Sequence, residues 1–446
     1  MSAQETSLPD TSIALAATTV GGWQRTSAIV ASVLGWSLDL YDLFILLFVA
    51  PVVGQLFFPS THPTWSLAAV YASFAVTLLM RPIGSAVFGH YADAHGRRGA
   101  MLVAVTGVGL ATAAFGLLPT IQQVGIAAPV VFIVLRLVQG IFVGGVVAST
   151  HTIGTESVPA NWRGFMSGLV GSGGAGIGAL LASVVFLLTS TLFPGDAFAT
   201  TGWRVMFFSG LLSAALGWFV FRNLEESPFW KEAQKHKAAH REAYAPVKAV
   251  FAKPWRNVML VNLLISLCGG AGYYLTSGYM PTFLKVVNGL PNQVSSYILM
   301  ACSVAAVVAA VLAGSLSDVI GRKKTFMLLG AVGAVLLPVC YLRLAAAADL
   351  TGIVTYAVAI AFIGNAGIAP VLIFLNERFP TAMRATGTGL SWNIGFAIGG
   401  VTPTFVSLAS QTPADIPMSL SVFAAAVFVV YLIGAVVVPE TKGEFR

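Results

Sequence analysis

The sequence predicts an all-α membrane protein, with twelve transmembrane helices in two pseudo-symmetric six-helix bundles. Three observations predict it: an apolar composition, a series of long apolar runs, and motifs that recur in both halves. Of the 446 residues, 57% are hydrophobic and 9% charged, with a mean hydropathy of +0.84. A soluble domain carries about 25% charged residues. This chain has too little polar surface to cover a water-exposed globule, so lipid is the expected solvent for most of it.

A spanning helix needs about 20 mostly apolar residues. Such runs fall near 28–50, 65–90, 100–119, 129–152, 165–191 and 203–222, and again near 256–281, 296–318, 325–343, 352–376, 386–408 and 418–438. The long polar segment between the two sets mixes both charge signs and reads as a solvated connector with short amphipathic helices. The expected organisation is an N-terminal tail 1–27, a bundle 28–222, a connecting loop 223–255, a second bundle 256–438 and a tail 439–446.

The net charge of +7 does not point to nucleic acid, because most basic residues cluster in the tails and alternate loops. Arg204, Lys285 and Arg343 alone fall at the opposite side, and Arg81 and Arg136 sit inside apolar runs. That asymmetry places both termini in the cytoplasm of a multi-pass protein of the cell inner membrane. The first 25 residues lack an apolar core, so no cleavable signal is expected. Cys268, Cys302 and Cys340 are far apart in apolar segments and show no disulfide or metal-ligand spacing.

The duplication is visible directly. Gly89-x3-Asp93-x2-Gly96-Arg97-Arg98 follows the second run, and Gly314-x3-Asp318-x2-Gly321-Arg322-Lys323 follows the eighth. Glu156-x2-Pro159-x3-Arg163 follows the fourth run and Glu377-x2-Pro380-x3-Arg384 the tenth, at nearly the same offset. An acid at a helix end, a glycine that permits a tight turn and adjacent cations suit a charge-relay latch.

These paired loops, with Arg136-Leu-Val-Gln139-Gly140 and Pro439-Glu-Thr-Lys-Gly443, resemble the major facilitator superfamily along essentially the whole chain. The resemblance implies two bundles rocking about a central site. It also implies that Asp93, Arg97, Glu156, Arg163, Asp318, Arg322, Glu377 and Arg384 make inter-bundle gating contacts, together with Gly89, Gly96, Arg98, Gly314 and Gly321. Setting topology is the plainer role for the basic ones.

Ionisable residues inside apolar runs are costly in a bilayer and are functional candidates by default. There are four: Asp39, Asp42, Arg81 and Arg136. Asp39 and Asp42 share a helical face, and Arg136 lies at a depth that could meet Asp42. If a substrate carboxylate takes Arg136, Asp42 could hold a proton through the cycle, with Asp39 as a second proton site or a helper. The alternative is a static ion pair. Arg81, before Pro82, suits either a bond to helix carbonyls or a substrate contact.

Asp39-Leu-Tyr-Asp42, Arg81-Pro82-Ile-Gly84 and Tyr279-Met-Pro281 also resemble the metabolite:proton symporter branch, whose members carry organic acids, proline or betaine; the aromatic-acid and lactate or sialate symporters are similar around helix 1. Val146 departs from that branch's usual Glu. Further binding candidates are Tyr41, Gln139, Ser172, Tyr273, Tyr274, Asn365, Trp392 and Asn393, each of which could equally serve helix packing. His151 reads as a helix-end histidine.

The expected function is proton-coupled uptake of a small organic anion, with no cofactor or metal, no enzymatic activity and a monomeric protein. Sodium coupling stays open. A sugar or polyol symporter is the first rival, although helix 7 lacks the Gln-Gln pair that grips hydroxyls. An exporter is the second, although helix 5 lacks the Gly-Pro motif of drug antiporters. Against a membrane enzyme stands the lack of any nucleophile–base cluster in the loops.

Overall fold

The computed structural model describes residues 22–95, 97–156, 158–222, 246–380 and 384–443. The first-half helices are α1 Gly22–Phe57, α2 Pro63–His95, α3 Arg97–Phe115, α4 Ala127–Glu156, α5 Arg163–Leu192 and α6 Phe198–Val220. Those of the second half are α7 Trp255–Val286, α8 Asn292–Ile320, α9 Arg322–Ala346, α10 Leu350–Glu377, α11 in two pieces, Arg384–Gly399 and Thr402–Ala409, and α12 Ile416–Val437. No strand occurs among the described residues.

Ten of these helices are long and apolar enough to cross a bilayer. The other two fall short for visible reasons. In α3 the apolar part is only Gly99–Phe115, behind Arg97 and Arg98, and α11 is broken at Gly400 and Val401 just before Pro403. Both occupy the places that the sequence periodicity assigns to spanning helices. The chain is a multi-pass membrane protein.

Lipid is as apolar as leucine, so helices in a bilayer associate through close packing of small residues and not through burial from water. Within the halves the most extensive pairs are α2 with α4, α3 with α6, α7 with α11, and α9 with α12. Gly140 and Gly144 let α4 approach α2 closely; a Cβ on Gly144 would fall on the Arg81 carbonyl, and one on Gly140 on that of Thr77. The halves meet where α5 crosses α8 and where α2 runs along α11. At the first crossing Gly164 and Gly168 lie against Gly314 and Ala310 with no room for a side chain.

Burial within the bundle sorts the helices. The apolar window of α1 is 78% buried, as is that of α10, and that of α7 is 67%, against 33% for α9. So α1, α7 and α10 are central and α9 is at the lipid rim. Both α5 and α7 widen into a π turn, at Leu169–Gly173 and Tyr274–Gly278. Such bulges are frequent at functional sites because they re-aim side chains without ending the helix.

Candidate substrate and coupling site

Asp39 on α1 and Arg81 on α2 face each other deep in the first half. Asp39 Oδ2 lies 3.5 Å from Arg81 Nη2, and both side chains are shielded from solvent. The contact is a charge pair without a hydrogen bond: both Asp39 oxygens and Arg81 Nε and Nη2 lack a hydrogen-bond partner in the protein. Removing two ions from water costs several kcal/mol each, which only good geometry and further hydrogen bonds repay. A loosely joined pair is thus open to a third charged or polar group.

Arg81 opens on a small hollow of about 20 Å³ between the halves. Its walls include Trp36, Tyr273, Tyr274, Trp392 and Phe396, with Ser172 from the π turn of α5. Trp392 stacks on Phe396 with ring centres 3.8 Å apart, and Trp36 meets Trp392 edge-on at 5.6 Å. The rings make a stiff apolar box with one cation in its wall.

A second small hollow, also of about 20 Å³, shares Ala175 and Tyr273 with the first. It is lined by Phe44, Phe48 and Met280, with Ser277, Ser303 and Asn365 as its polar groups. Asn365 ties the surrounding helices together. Its Nδ2 donates to Ser277 Oγ and to the Ala361 carbonyl, both at 2.8 Å, and it accepts from Ser172 Oγ at 3.2 Å. Ser172 also donates to the Asn365 carbonyl at 3.0 Å, which joins the two halves at this depth. The Tyr273 hydroxyl, by contrast, has no partner in the protein.

Arg136 and Asp42 do not form the expected ion pair. Arg136 Nη1 donates to Gln139 Oε1 at 2.7 Å, one turn along its own helix, and the guanidinium sits 4.2 Å from the Phe115 ring centre and 5.2 Å from that of Phe132. Gln139 Nε2 donates to Thr112 Oγ1 at 2.8 Å. Asp42 turns toward α6, where Ser213 Oγ donates to its Oδ2 at 2.6 Å. Gln139 and Ser213 are the groups that these two charges bond instead. Tyr41 likewise faces α6, donating to Ser209 Oγ at 2.6 Å.

The structure therefore brings together Arg81, Ser172, Tyr273, Tyr274 and Trp392 at one hollow, with Asp39 paired to Arg81, and Tyr273 and Asn365 at the other. Arg136, Gln139, Tyr41 and Asp42 form no part of either wall. Asn393 reaches across to α2 instead, donating to Ser85 Oγ at 3.2 Å. Trp36, Phe396, Phe44, Phe48, Met280, Ser277 and Ser303 are among the wall residues that sequence reasoning missed; Ser277 was legible only as a hydroxyl beside the Tyr273-Tyr274 pair.

At the end of the bundle that carries the repeated loops, Asp318 accepts from the backbone N–H groups of Gly164 and Phe165, each at 3.0 Å, and from Arg322 Nη1 at 2.8 Å. Those amides belong to the first turn of α5, where N–H groups lack helical partners and a carboxylate is favoured. Arg322 also pairs with Glu377 at 2.9 Å, and Thr441 Oγ1 donates to Glu377 Oε2 at 2.6 Å. Gly321, at φ 95°, makes the turn that lets these groups converge. Arg384 Nε donates to the Asn376 carbonyl at 3.1 Å, and Arg163 is partly buried beside this junction.

Glu440 closes the network from the tail. Partial burial raises its pKa, but the N–H groups of Lys442, Arg322, Lys323 and Thr441 point at the carboxylate and hold it below the usual range. Of the corresponding first-half expectations, Gly96 lies outside the described residues, as does segment 223–245; Gly89, Asp93, Arg97, Arg98, Glu156 and His151 lie on described helices, but their side chains are outside the description.

A two-half helical bundle with a buried charge pair opening on a central hollow defines a membrane carrier. The major facilitator superfamily model matches residues 34–403. The chain belongs to that family and is a secondary transporter. It is 29% identical to the inner membrane metabolite transport protein YhjE of Escherichia coli K12, over 94% of this chain and 95% of that one. It is 28% identical to the proline/betaine transporter of the same organism, over 94% of this chain and 84% of the relative. Among solved structures, the partially occluded inward-open xylose transporter XylE from E. coli superposes with a TM-score of 0.73 at 20% identity, covering 95% of this chain and 99% of that one. That last likeness concerns the fold alone.

Proposed function

We propose that the chain carries a small organic anion into the cell together with a proton, and that Arg81 and Asp39 are the residues that couple the two. The observation that carries this reading is the Asp39–Arg81 pair, which is buried and loosely joined and whose Arg81 is set in the wall of the inter-bundle hollow. A carboxylate entering the hollow finds unused N–H groups on Arg81, and an Arg–carboxylate pair with two parallel hydrogen bonds is stronger than the 3.5 Å contact that it replaces. Asp39 is then left without its counter-charge in a low-dielectric site. Binding a proton there keeps the site neutral, so one anion enters with one proton. The loop-motif end is taken as cytoplasmic in this scheme, in line with the distribution of basic residues.

Asp42 and Arg136 remain candidates for a second proton-linked step within the first half. The polar chain from Arg136 through Gln139 to Thr112, with Asp42 and Ser213 nearby, supports a role in transmitting helix motion and not in touching the solute.

A second reading has its own observation. The five rings around Arg81 would suit a quaternary ammonium group by cation–π attraction, and one relative is a proline/betaine transporter. A zwitterion of that kind would place its carboxylate on Arg81 and its cation among the rings. It would need no proton for charge balance.

Uptake of radiolabelled carboxylates, zwitterions and sugars into proteoliposomes under an imposed pH gradient separates these readings. Gradient-driven carboxylate uptake that disappears in Asp39→Asn while carboxylate exchange persists supports anion symport. Gradient-indifferent betaine uptake supports the second reading, and sugar uptake contradicts both.

A further inference from the structure

The two hollows meet at Ala175 and Tyr273 but differ in chemistry. The first has a cation, Arg81, in its wall. The second has none; its polar groups are the hydroxyls of Ser277 and Ser303 and the Asn365 amide. Ser303 is turned back on its own helix, donating to the Leu299 carbonyl at 2.8 Å. Asn365 uses both amide hydrogens within the protein, and one of them fixes Ser277 Oγ as an acceptor at 2.8 Å. With that lone pair engaged, the Ser277 hydroxyl hydrogen is available to a group in the hollow. The Tyr273 hydroxyl, on the shared wall, is buried and without a protein partner. A buried polar group of this kind demands a hydrogen bond.

We propose that the transported solute occupies both hollows: its carboxylate lies at Arg81, and an uncharged hydroxyl or carbonyl at its other end bonds Ser277 and Tyr273. The substrate class is thus a monocarboxylate with a neutral polar tail, and Asn365 is a positioning residue that aims Ser277. The proposal rests on the carboxylate reading above. A second carboxylate is disfavoured because it would be buried beside hydroxyls and aromatic rings with no cation to pair it. An unsubstituted alkyl tail is disfavoured because it leaves the two hydroxyls unpaired, the situation in which hydrogen-bonding sites discriminate most strongly.

The test compares 6-hydroxyhexanoate, hexanoate and adipate, with their four-carbon counterparts, for binding to the purified full chain. The readout is tryptophan fluorescence, since Trp36 and Trp392 line the first hollow. The expected result is that a hydroxy acid binds at least about tenfold more tightly than both the alkyl acid and the diacid of equal length. In Ser277→Ala the advantage over the alkyl acid falls to about threefold or less. Equal or tighter diacid binding overturns the proposal, and so does a hydroxyl preference that Ser277→Ala leaves intact. In either case the carboxylate reading stands. If none of the six acids binds, both fall together. The wild-type series needs no variant, so a misfolded Ser277→Ala protein does not shield the proposal.

Discussion

At the scale of single residues, the account turns on charge pairing inside the bilayer. Arg81→Gln leaves Asp39 buried and unpaired. Breaking a buried pair in this way costs about 3–5 kcal/mol, so the variant should unfold at clearly lower temperature in detergent. Asp39→Asn with Arg81→Gln removes both charges and should recover most of that loss without recovering transport. If the double variant transports normally, the pair is structural and the coupling scheme is wrong. Glu440 offers a pH test outside the membrane. Its folded-state pKa lies below the usual Glu range, so its contribution is full above the unfolded pKa and is lost as pH falls through the folded one. Protection of the Arg322 and Lys323 amides, taken as exchange relative to the unstructured chain at the same pH, should therefore fall on acidification below the ordinary carboxylate range. In Glu440→Gln that protection should be low throughout, with little further loss in acid.

At the scale of elements, the crossing of α5 and α8 is the joint that must open if the loop-motif end admits solute. Two features hold it closed: the glycine contact of Gly164 and Gly168 against Gly314 and Ala310, and the capping of α5 by Asp318. Hydrogen bonds to a charged group are worth about 1.5–3 kcal/mol each. Asp318→Asn should therefore raise amide exchange at Gly164 and Phe165 by at least about tenfold. Unchanged protection would show that the glycine contact alone closes this end. At the opposite end Tyr71 on α2 stacks on Tyr279 of α7 with ring centres 4.9 Å apart and donates to Thr282 Oγ1 at 2.8 Å. Tyr71→Ala should make that end more open to water-soluble thiol reagents at an introduced cysteine, and Tyr71→Phe less so, because it keeps the stacking.

At the scale of the whole molecule, the helices were legible because lipid demands long apolar runs, and the duplication because its loop motifs lie outside lipid. The break in α11 was not read: the apolar run 386–408 stood as one helix, because hydropathy does not register the interruption before Pro403. The partner of each buried charge was not legible either. Sequence gives the depth of Asp39, Asp42, Arg81 and Arg136, but pairing depends on how each helix is rotated and which neighbour it meets. Depth alone paired Arg136 with Asp42; rotation gives Arg136 to Gln139 and gives Arg81 to Asp39. The Asp318 bond to α5 was hidden for a related reason, since its donors are backbone N–H groups that no residue type announces.

The most direct measurement is the pH of a lightly buffered suspension of proteoliposomes when a carboxylate is added outside. The account predicts that the medium becomes more alkaline as substrate and proton enter together, with a stoichiometry of about one. It predicts no such change with Asp39→Asn or with a neutral sugar. Carboxylate uptake with no pH change, or with one that survives Asp39→Asn, would contradict coupling at the Asp39–Arg81 pair.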